Sequence, residues 1–353
     1  GVDKYYGQNP AFVAPVFEQF GLEETLQFFK ELGIYPKERN GGYYPQSEQA
    51  TAIRDVLLME LKKQNVGVVC GCGIRGIEKT AKGFTFHTKG GDFYATKCIM
   101  ATGGKTLRKS GSDGSGFLYL ESLGHHIIDL VPGLIGLKGK QSFFADIAGI
   151  RADAKVDLYI ESTHVCSERG ELQLTNYGIS GIPVFQLSRV AARALSEQKK
   201  VYATLNFVPF WEKEQCLTYF KERFKKADEK HIGEALIGFF PEKLIPVLLE
   251  ESHIKAAKYA NRLQTEELER FIDTVQGLRV DITDWNTFDT AQVTAGGVDT
   301  DEIDAETMES KLCPGLYFAG EMVDIDGICG GYNLQWAWSS GAVAGIHVAR
   351  ELS

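Results

Sequence analysis

AGEMVDIDGICGGYNLQWAWSSGAVAGIHVA, residues 319–349, is the stretch that decides the fold of this chain. It predicts an apolar strand ending at Gly320-Glu321, which would place a carboxylate at the carboxyl edge of a sheet, where open α/β sheets bind ligands. The pair Gly330-Gly331 then precedes a helix whose positive N-terminal end favours a negatively charged group. Glycines at such a turn also fit a plain loop with a close helix contact, so this stretch alone leaves a structural role and a binding role open.

Two further stretches predict strands that end in glycine. KCIMATGG, residues 97–104, ends in Thr102-Gly103-Gly104, and AQVTAGGV, residues 291–298, has the same form. A strand end without Cβ atoms lets a ring system approach the backbone. Either stretch alone is a weak signal, but three such strand ends in one chain favour a nucleotide-type site.

The first hundred residues have an order of elements that is more specific than any single motif. A helix with one apolar face is predicted over residues 21–33, and a second helix precedes VGVVCGC, residues 66–72, which reads as a buried strand. Three short strands follow near residues 74–78, 84–88 and 92–95. Such a crossover between two strands of a dinucleotide-binding sheet is typical of many flavin and pyridine-nucleotide enzymes, so we predict an α/β fold.

Beyond Gly124 the sequence pattern becomes typical of β-strands, then of helices, and finally of an α/β fold again. We predict four segments: the first part of a dinucleotide-binding domain over residues 1–126, an inserted β domain over 127–210, a small helical domain over 211–282, and the C-terminal part of the dinucleotide-binding domain over 283–353.

Composition limits the functional classes. The chain has 353 residues and a net charge of −9, with 38 Lys and Arg against 47 Asp and Glu, which disfavours nucleic acid and anionic membranes as partners. No stretch approaches the roughly 18 apolar residues of a membrane span, and seven scattered cysteines do not form a disulfide framework, so we predict a cytoplasmic protein. Cys70 and Cys72 lack nearby metal-ligand partners and are interpreted as core packing, so no metal site is predicted. No hydrolase motif stands out either.

No G-x-G-x-x-G fingerprint follows a strand anywhere in the chain. GSDGSG, residues 111–116, has the wrong spacing, and the chain starts with Gly instead of Met. We therefore expect the first βαβ unit of the dinucleotide fold to be absent, leaving half a cofactor site. Its absence should expose apolar surface, which predicts a homodimer.

Together, these motifs resemble one family of bacterial NAD(P)/FAD-dependent oxidoreductases, the aminoacetone oxidase and BaiN-like flavoproteins, which have two inserted domains. The resemblance covers nearly the whole chain and is carried by TAGGV at 294–298, EIDAETMESKLCPGLYFAGEMVDIDGICGGYNLQWAWSSG at 302–341 and LTNYGISGIPVFQLSR at 174–189. It implies an FAD-binding fold that is incomplete here, because members open with a G-x-G-x-x-G unit.

The resemblance also implies a set of cofactor-binding residues. Those expected to line FAD are Thr102, Gly103, Gly104, Thr294, Ala295, Gly296, Gly297, Gly320, Glu321, Asp326, Gly330, Gly331, Tyr332, Asn333 and Gln335. Many members carry His in a T-H-x-G-L-S-G segment, whereas this chain has Thr175-Asn176-Tyr177-Gly178, so no histidine role is transferred. No catalytic base is identified.

Two functional hypotheses follow. The first is a flavin-dependent oxidoreductase that moves a hydride between FAD and a small organic substrate, with NAD(P)H as a candidate electron donor. This chain alone would then be inactive if its cofactor site is incomplete. The second is a non-catalytic ligand-binding or interaction protein on a flavoprotein scaffold that has lost its cofactor.

Overall fold

A computed structural model describes all residues, 1–353, and shows a mixed α/β protein that divides into two compact units. The first unit combines Gly1–Leu130 with Val293–Ser353, and the second is the continuous segment Val131–Gln292. None of the helices is both long enough and apolar enough to cross a membrane.

The helices, in chain order, are α1 (Val13–Gln19), α2 (Leu22–Glu31), α3 (Ala50–Lys63), α4 (Ser115–Ser122), α5 (Phe144–Ile147), α6 (Ile182–Ser196), α7 (Lys213–Lys225), α8 (Ile232–Leu236), α9 (Leu244–Glu251), α10 (Thr265–Gly277) and α11 (Tyr332–Leu352).

The strands, in chain order, are β1 (Tyr5–Tyr6), β2 (Pro36–Arg39), β3 (Gly42–Pro45), β4 (Ile74–Thr80), β5 (Gly83–Thr88), β6 (Gly91–Ala95), β7 (Cys98–Met100), β8 (Ile127–Gly133), β9 (Leu137–Gly139), β10 (Arg151–Ile160), β11 (Thr163–Thr175), β12 (Gly178–Gly181), β13 (Val201–Asn206), β14 (Leu278–Trp285), β15 (Val293–Val298), β16 (Leu316–Phe318) and β17 (Asp326–Gly327).

The first unit is built on short strands from both ends of the chain. β7 pairs with β16 in parallel, β15 pairs with β8, and β4, β5 and β6 form the predicted antiparallel meander. The residues of β16 are fully buried, whereas Ile99 in the middle of its partner β7 is 39% exposed. The strands predicted in KCIMATGG, in AQVTAGGV and before Gly320-Glu321 are confirmed as β7, β15 and β16. The prediction that AQVTAGGV ends in its glycines is wrong, because β15 continues through Gly296 and Gly297 to Val298.

The last helix, α11, packs its small residues against the end of β16. The indole Nε1 of Trp336 donates to the Gly320 carbonyl at 2.9 Å, and Ser340 Oγ accepts from the Gly320 N–H at 2.8 Å. Trp338 instead packs edge-on against Phe29, 5.0 Å between ring centroids. The two tryptophans therefore face different ways, as their spacing in the sequence predicts.

The second unit contains a closed six-stranded barrel in the order β10, β11, β12, β9, β14, β13. In β13, buried and half-buried residues alternate, as expected for a strand with one face toward a core. Helix α6 buries seven residues, and four of them, Val184, Leu187, Ala191 and Ala194, belong to the same core. The helices α7 to α10 add aromatic side chains such as Phe220 and Phe271 to that core, so barrel and helices form one compact unit.

The barrel draws its strands from both sides of the helical segment, since β14 follows α10 directly and pairs with β9 and β13. The four-segment division at residues 126, 210 and 282 stays a prediction.

The strand predicted over residues 66–72 is wrong. These residues form turns and irregular backbone, and Val66, Val68 and Val69 are 51%, 58% and 63% exposed. A strand requires a hydrogen-bonded neighbour, and no strand of the chain pairs with this segment. Cys70, predicted to pack in a core, is exposed for the same reason.

Candidate functional site

Three of the strands singled out in the sequence have one end next to the same glutamate. Glu321, just after β16, accepts a hydrogen bond from the Thr294 N–H and another from the Gly104 N–H, the latter at 3.3 Å. Thr294 Oγ1 in turn accepts from the Lys105 N–H at 2.8 Å. One carboxylate therefore fixes the turn after β7 and the start of β15 relative to the end of β16.

Glycine is required at position 104 because the backbone there lies close to the side chains of Thr294 and Glu321. A Cβ atom there would lie 2.6 Å from Thr294 Cβ and 3.0 Å from Glu321 Cδ. Neither neighbour is free to move away, since both side chains hold hydrogen bonds to backbone N–H groups. The second glycine of the ATGG turn is thus part of the geometry of the strand ends.

The Glu321 carboxyl lies in a poorly hydrated position. Burial raises the pKa of Glu321 above its ordinary value of 4.5, and the N–H donors of Thr294 and Gly104 oppose that rise. Its Oε1 accepts from the Thr294 N–H and its Oε2 from the Gly104 N–H.

Around this glutamate the other strand-end residues differ in exposure. Thr102 is exposed at the end of β7, and its hydroxyl lies 3.1 Å from Met322 Sδ. Gly103 is half-buried. Ala295, Gly296 and Gly297 are buried within β15, where a Cβ on Gly297 would meet the backbone of residues 322–323. Their contact with a cofactor stays a prediction.

The start of α11 forms a second, separate group. Gly330 and Gly331 are exposed, and Gly331 is the N-cap residue with φ +93°, a conformation that favours glycine. Asn333 accepts from the Gly327 N–H and donates to the Gly327 carbonyl, both at 2.8 Å. The Tyr332 carbonyl accepts from Tyr5 Oη at 2.9 Å. The turn before α11 is therefore fixed on both sides.

Two predicted residues near this turn point into the protein. Asp326 is 3% exposed and lies in β17, paired with Tyr6. The amide nitrogen of Gln335 donates to Thr25 Oγ1 at 2.8 Å and to Ser339 Oγ at 2.9 Å. Because both N–H groups of Gln335 are used, its amide links α2 to α11, and only its oxygen remains for a ligand.

The residues present fit a dinucleotide cofactor at the start of α11. This helix has 21 residues, and no side chain caps its N-terminus, so its first N–H groups are available to an anion. Exposed Gly330 and Gly331 leave no Cβ in the way. The helix start would hold a phosphate or a negatively charged ring, and the strand ends near Glu321 would hold hydroxyl groups.

The sequence analysis did not identify two buried polar groups of the first unit. Asp324 is 1% exposed, its Oδ2 accepts from the Gln8 N–H at 2.8 Å, and its Oδ1 has no partner. His125 has Nδ1 2.8 Å from Glu302 Oε2 and Nε2 2.9 Å from Ser310 Oγ. No local spacing reveals that network, because its members are 177 and 185 residues apart.

The structure contains no group of three or more His, Cys, Asp or Glu side chains that could hold a metal ion.

The model of the HI0933-like protein Rossmann domain family matches residues 2–347. The chain belongs to this family. A Rossmann domain is a dinucleotide-binding fold, so a flavin-type dinucleotide is the cofactor class that this membership supports. Membership of the BaiN-like family, which the motifs at 174–189, 294–298 and 302–341 predicted, is confirmed.

Curated relatives of this HI0933-like chain include three enzymes. It is 44% identical over 341 residues to a 3-dehydro-bile acid delta(4,6)-reductase of Clostridium scindens, covering 97% of this chain and 83% of the relative. It is 28% identical to a ribosomal RNA dihydrouridine synthase of Escherichia coli, with 95% and 81% covered. For the dihydrouridine synthase of Haemophilus influenzae the identity is 26%, with 98% and 84% covered.

Proposed function

We propose that this chain belongs to a flavin-dependent oxidoreductase that reduces a carbon–carbon double bond conjugated to a carbonyl group in a small organic substrate. FAD is the proposed flavin and NAD(P)H the proposed electron donor. The observation that carries the proposal is the 44% identity, over 97% of this chain, to a 3-dehydro-bile acid delta(4,6)-reductase.

The reaction class follows from what the names of the relatives have in common. A 3-dehydro steroid with double bonds at positions 4 and 6 is a conjugated ketone, and its reductase saturates those bonds. A dihydrouridine is a uridine whose ring double bond, also conjugated to a carbonyl, has been saturated. Both reactions add a hydride to one carbon and a proton to its neighbour. A bound flavin supplies hydride chemistry of this kind.

The geometry of the first unit supports a role in holding such a cofactor. Glu321 accepts hydrogen bonds from the turn after β7 and from the start of β15, which fixes both relative to the end of β16. The uncapped N-terminus of α11 offers a positive field that would stabilise a negatively charged reduced ring system. Substrate positioning and protonation are not assigned to particular side chains.

A small organic substrate fits this chain better than RNA. The chain carries a net charge of −9, which disfavours contact with an RNA backbone, since such contacts rely on surfaces rich in Lys and Arg. The identity to the RNA-modifying relatives is also lower, at 28% and 26%. We therefore propose a small-molecule substrate, and the experiment below also tests RNA as the alternative substrate.

The test begins with an absorbance spectrum of the purified protein and a titration with FAD, monitored by flavin fluorescence. Saturable quenching of the flavin fluorescence supports a cofactor site. If the fluorescence is not quenched, the alternative of a ligand-binding protein without a cofactor is favoured. The protein with FAD is then mixed anaerobically with NADH or NADPH, and bleaching of the flavin bands is recorded.

Substrate class is decided by the reoxidation of this reduced protein. A steroid 4-en-3-one should restore the flavin bands, while the matched saturated 3-ketone should not, because it lacks the conjugated double bond. Reoxidation by a uridine-containing RNA hairpin, but not by the enone, would overturn the proposed substrate class. Reoxidation by neither would overturn the proposed reaction.

A further inference from the structure

The barrel unit contains a pocket to which the proposed reduction assigns no role. Its volume is about 410 Å³, and it is lined by Ala148, Gly149, Ile150, Arg151, Gln173, Leu174, Thr175 and Asn176. That volume lies within the usual range of small-molecule sites, roughly 300–1,000 Å³.

The walls of this pocket are held by backbone hydrogen bonds. The Gly149 N–H donates to the Leu174 carbonyl, and the Leu174 N–H donates to the Ile150 carbonyl, each at 2.9 Å. At the adjacent turn, Thr175 Oγ1 donates to the Gly178 carbonyl at 3.0 Å and accepts from the Gly178 N–H at 3.1 Å. The pocket is thus preorganised, which lowers the entropy lost when a ligand binds.

The polar groups of the pocket are rich in donors. Arg151 and Gln173 are direct cross-strand neighbours on β10 and β11, so their side chains share one face. Arg151 uses one N–H group, from Nη1 to Glu171 Oε1 at 3.0 Å, and the amides of Gln173 and Asn176 make no hydrogen bond within the protein. No carboxylate lines the pocket, although the chain as a whole carries a charge of −9.

We propose that this pocket binds an organic anion, with its oxyanion on the Arg151 guanidinium and its apolar body against Ala148, Ile150 and Leu174. The planar guanidinium matches the two oxygens of a carboxylate or phosphate, and the neighbouring amides supply further donors. The proposal does not rest on the proposed flavin chemistry, and its test requires no cofactor.

Isothermal titration of the full chain without added flavin tests the proposal. The probes are 4-phenylbutyrate, phenyl phosphate and the uncharged 4-phenylbutyramide. Saturable binding of at least one anion, with no binding of the amide, is expected, and the stronger of the two anions identifies the oxyanion. Equal binding of acid and amide, or no saturable binding of either anion, would overturn the proposal.

Matched variants assign the site. Arg151→Gln should weaken anion binding about tenfold by removing a charge-assisted bond. Arg169→Gln is the control, because Arg169 pairs with Asp153 on the same two strands, at 2.7 Å, but does not line the pocket. Glu171→Gln should tighten binding about two- to fivefold by releasing Arg151 from an exposed ion pair. Equal losses in Arg151→Gln and Arg169→Gln would refute the assignment, and circular dichroism melts verify that each variant is folded.

Discussion

At the scale of single residues, Glu321 couples protonation to stability. Its pKa is raised by burial, so between its ordinary value of 4.5 and the raised value the native state binds more protons than the unfolded state. The free energy of unfolding must therefore fall as pH rises through that interval. Glu321→Gln lacks this contribution, so the stability of the wild type relative to the variant should decrease with rising pH. Urea unfolding at a series of pH values measures the difference, and a flat profile would contradict the assignment.

Gly104 sets a steric limit at the same strand ends. Gly104→Ala places a Cβ 2.6 Å from Thr294 Cβ, and we expect a destabilisation of about 1–3 kcal/mol, typical of overpacking. The matched control is Gly341→Ala in α11, where the added Cβ lies 4.0 Å from Ala319 Cβ. There alanine should be neutral or stabilise by up to about 1 kcal/mol, because it favours helix. Urea unfolding compares the two variants, and equal effects would count against the steric argument.

At the scale of elements, Ser310 joins a buried histidine to the loop before β16. Its Oγ accepts from the N–H groups of Leu312 and Cys313 at 3.1 and 2.8 Å, so its proton is directed to His125 Nε2. Ser310→Ala removes the hydroxyl partner of the Leu312 N–H, the Cys313 N–H and His125 Nε2. We expect the free energy of unfolding to fall by about 2–3 kcal/mol. Ser353→Ala, at the exposed C-terminus, should change stability by less than about 0.5 kcal/mol.

The elements also show how far the sequence predicts this structure. β7, β15, β16 and α11 were predictable because apolar runs ending in glycine and the period of a helix are local signals. Residues 66–72 were mispredicted because a strand exists only when another strand pairs with it, which a local pattern does not reveal. The strand ends were predicted separately. Their meeting at Glu321 depends on tertiary contacts between residues 27 and 217 positions apart.

At the scale of the whole molecule, Val131–Gln292 is a continuous segment with its own hydrophobic core. We expect this segment to fold cooperatively when expressed alone, since the barrel closes within it. Circular dichroism and urea unfolding should show one sharp transition. A version ending at residue 277, which lacks β14, leaves the barrel open and should not fold; equal stability of the two would refute the idea.

The exposed apolar residues next to α3 predict self-association of the whole chain. Val68 and Val69 are 58% and 63% exposed, and Met59 in α3 is 62% exposed. We expect sedimentation to show a concentration-dependent dimer that the double change Val68→Glu and Val69→Glu abolishes. Val165→Glu, at a residue 44% exposed on β11, is the control and should not alter association. A monomer at all concentrations would contradict the prediction.

The entry and exit of the barrel segment lie side by side, since the Gln292 N–H donates to the Leu134 carbonyl at 3.4 Å. A gene encoding such a protein can exchange this segment as one block, with two crossover points that fall at neighbouring places in space. Recombination between relatives would then replace the barrel, its pocket and its helices together, while the glycine-rich strand ends of the first unit are inherited unchanged.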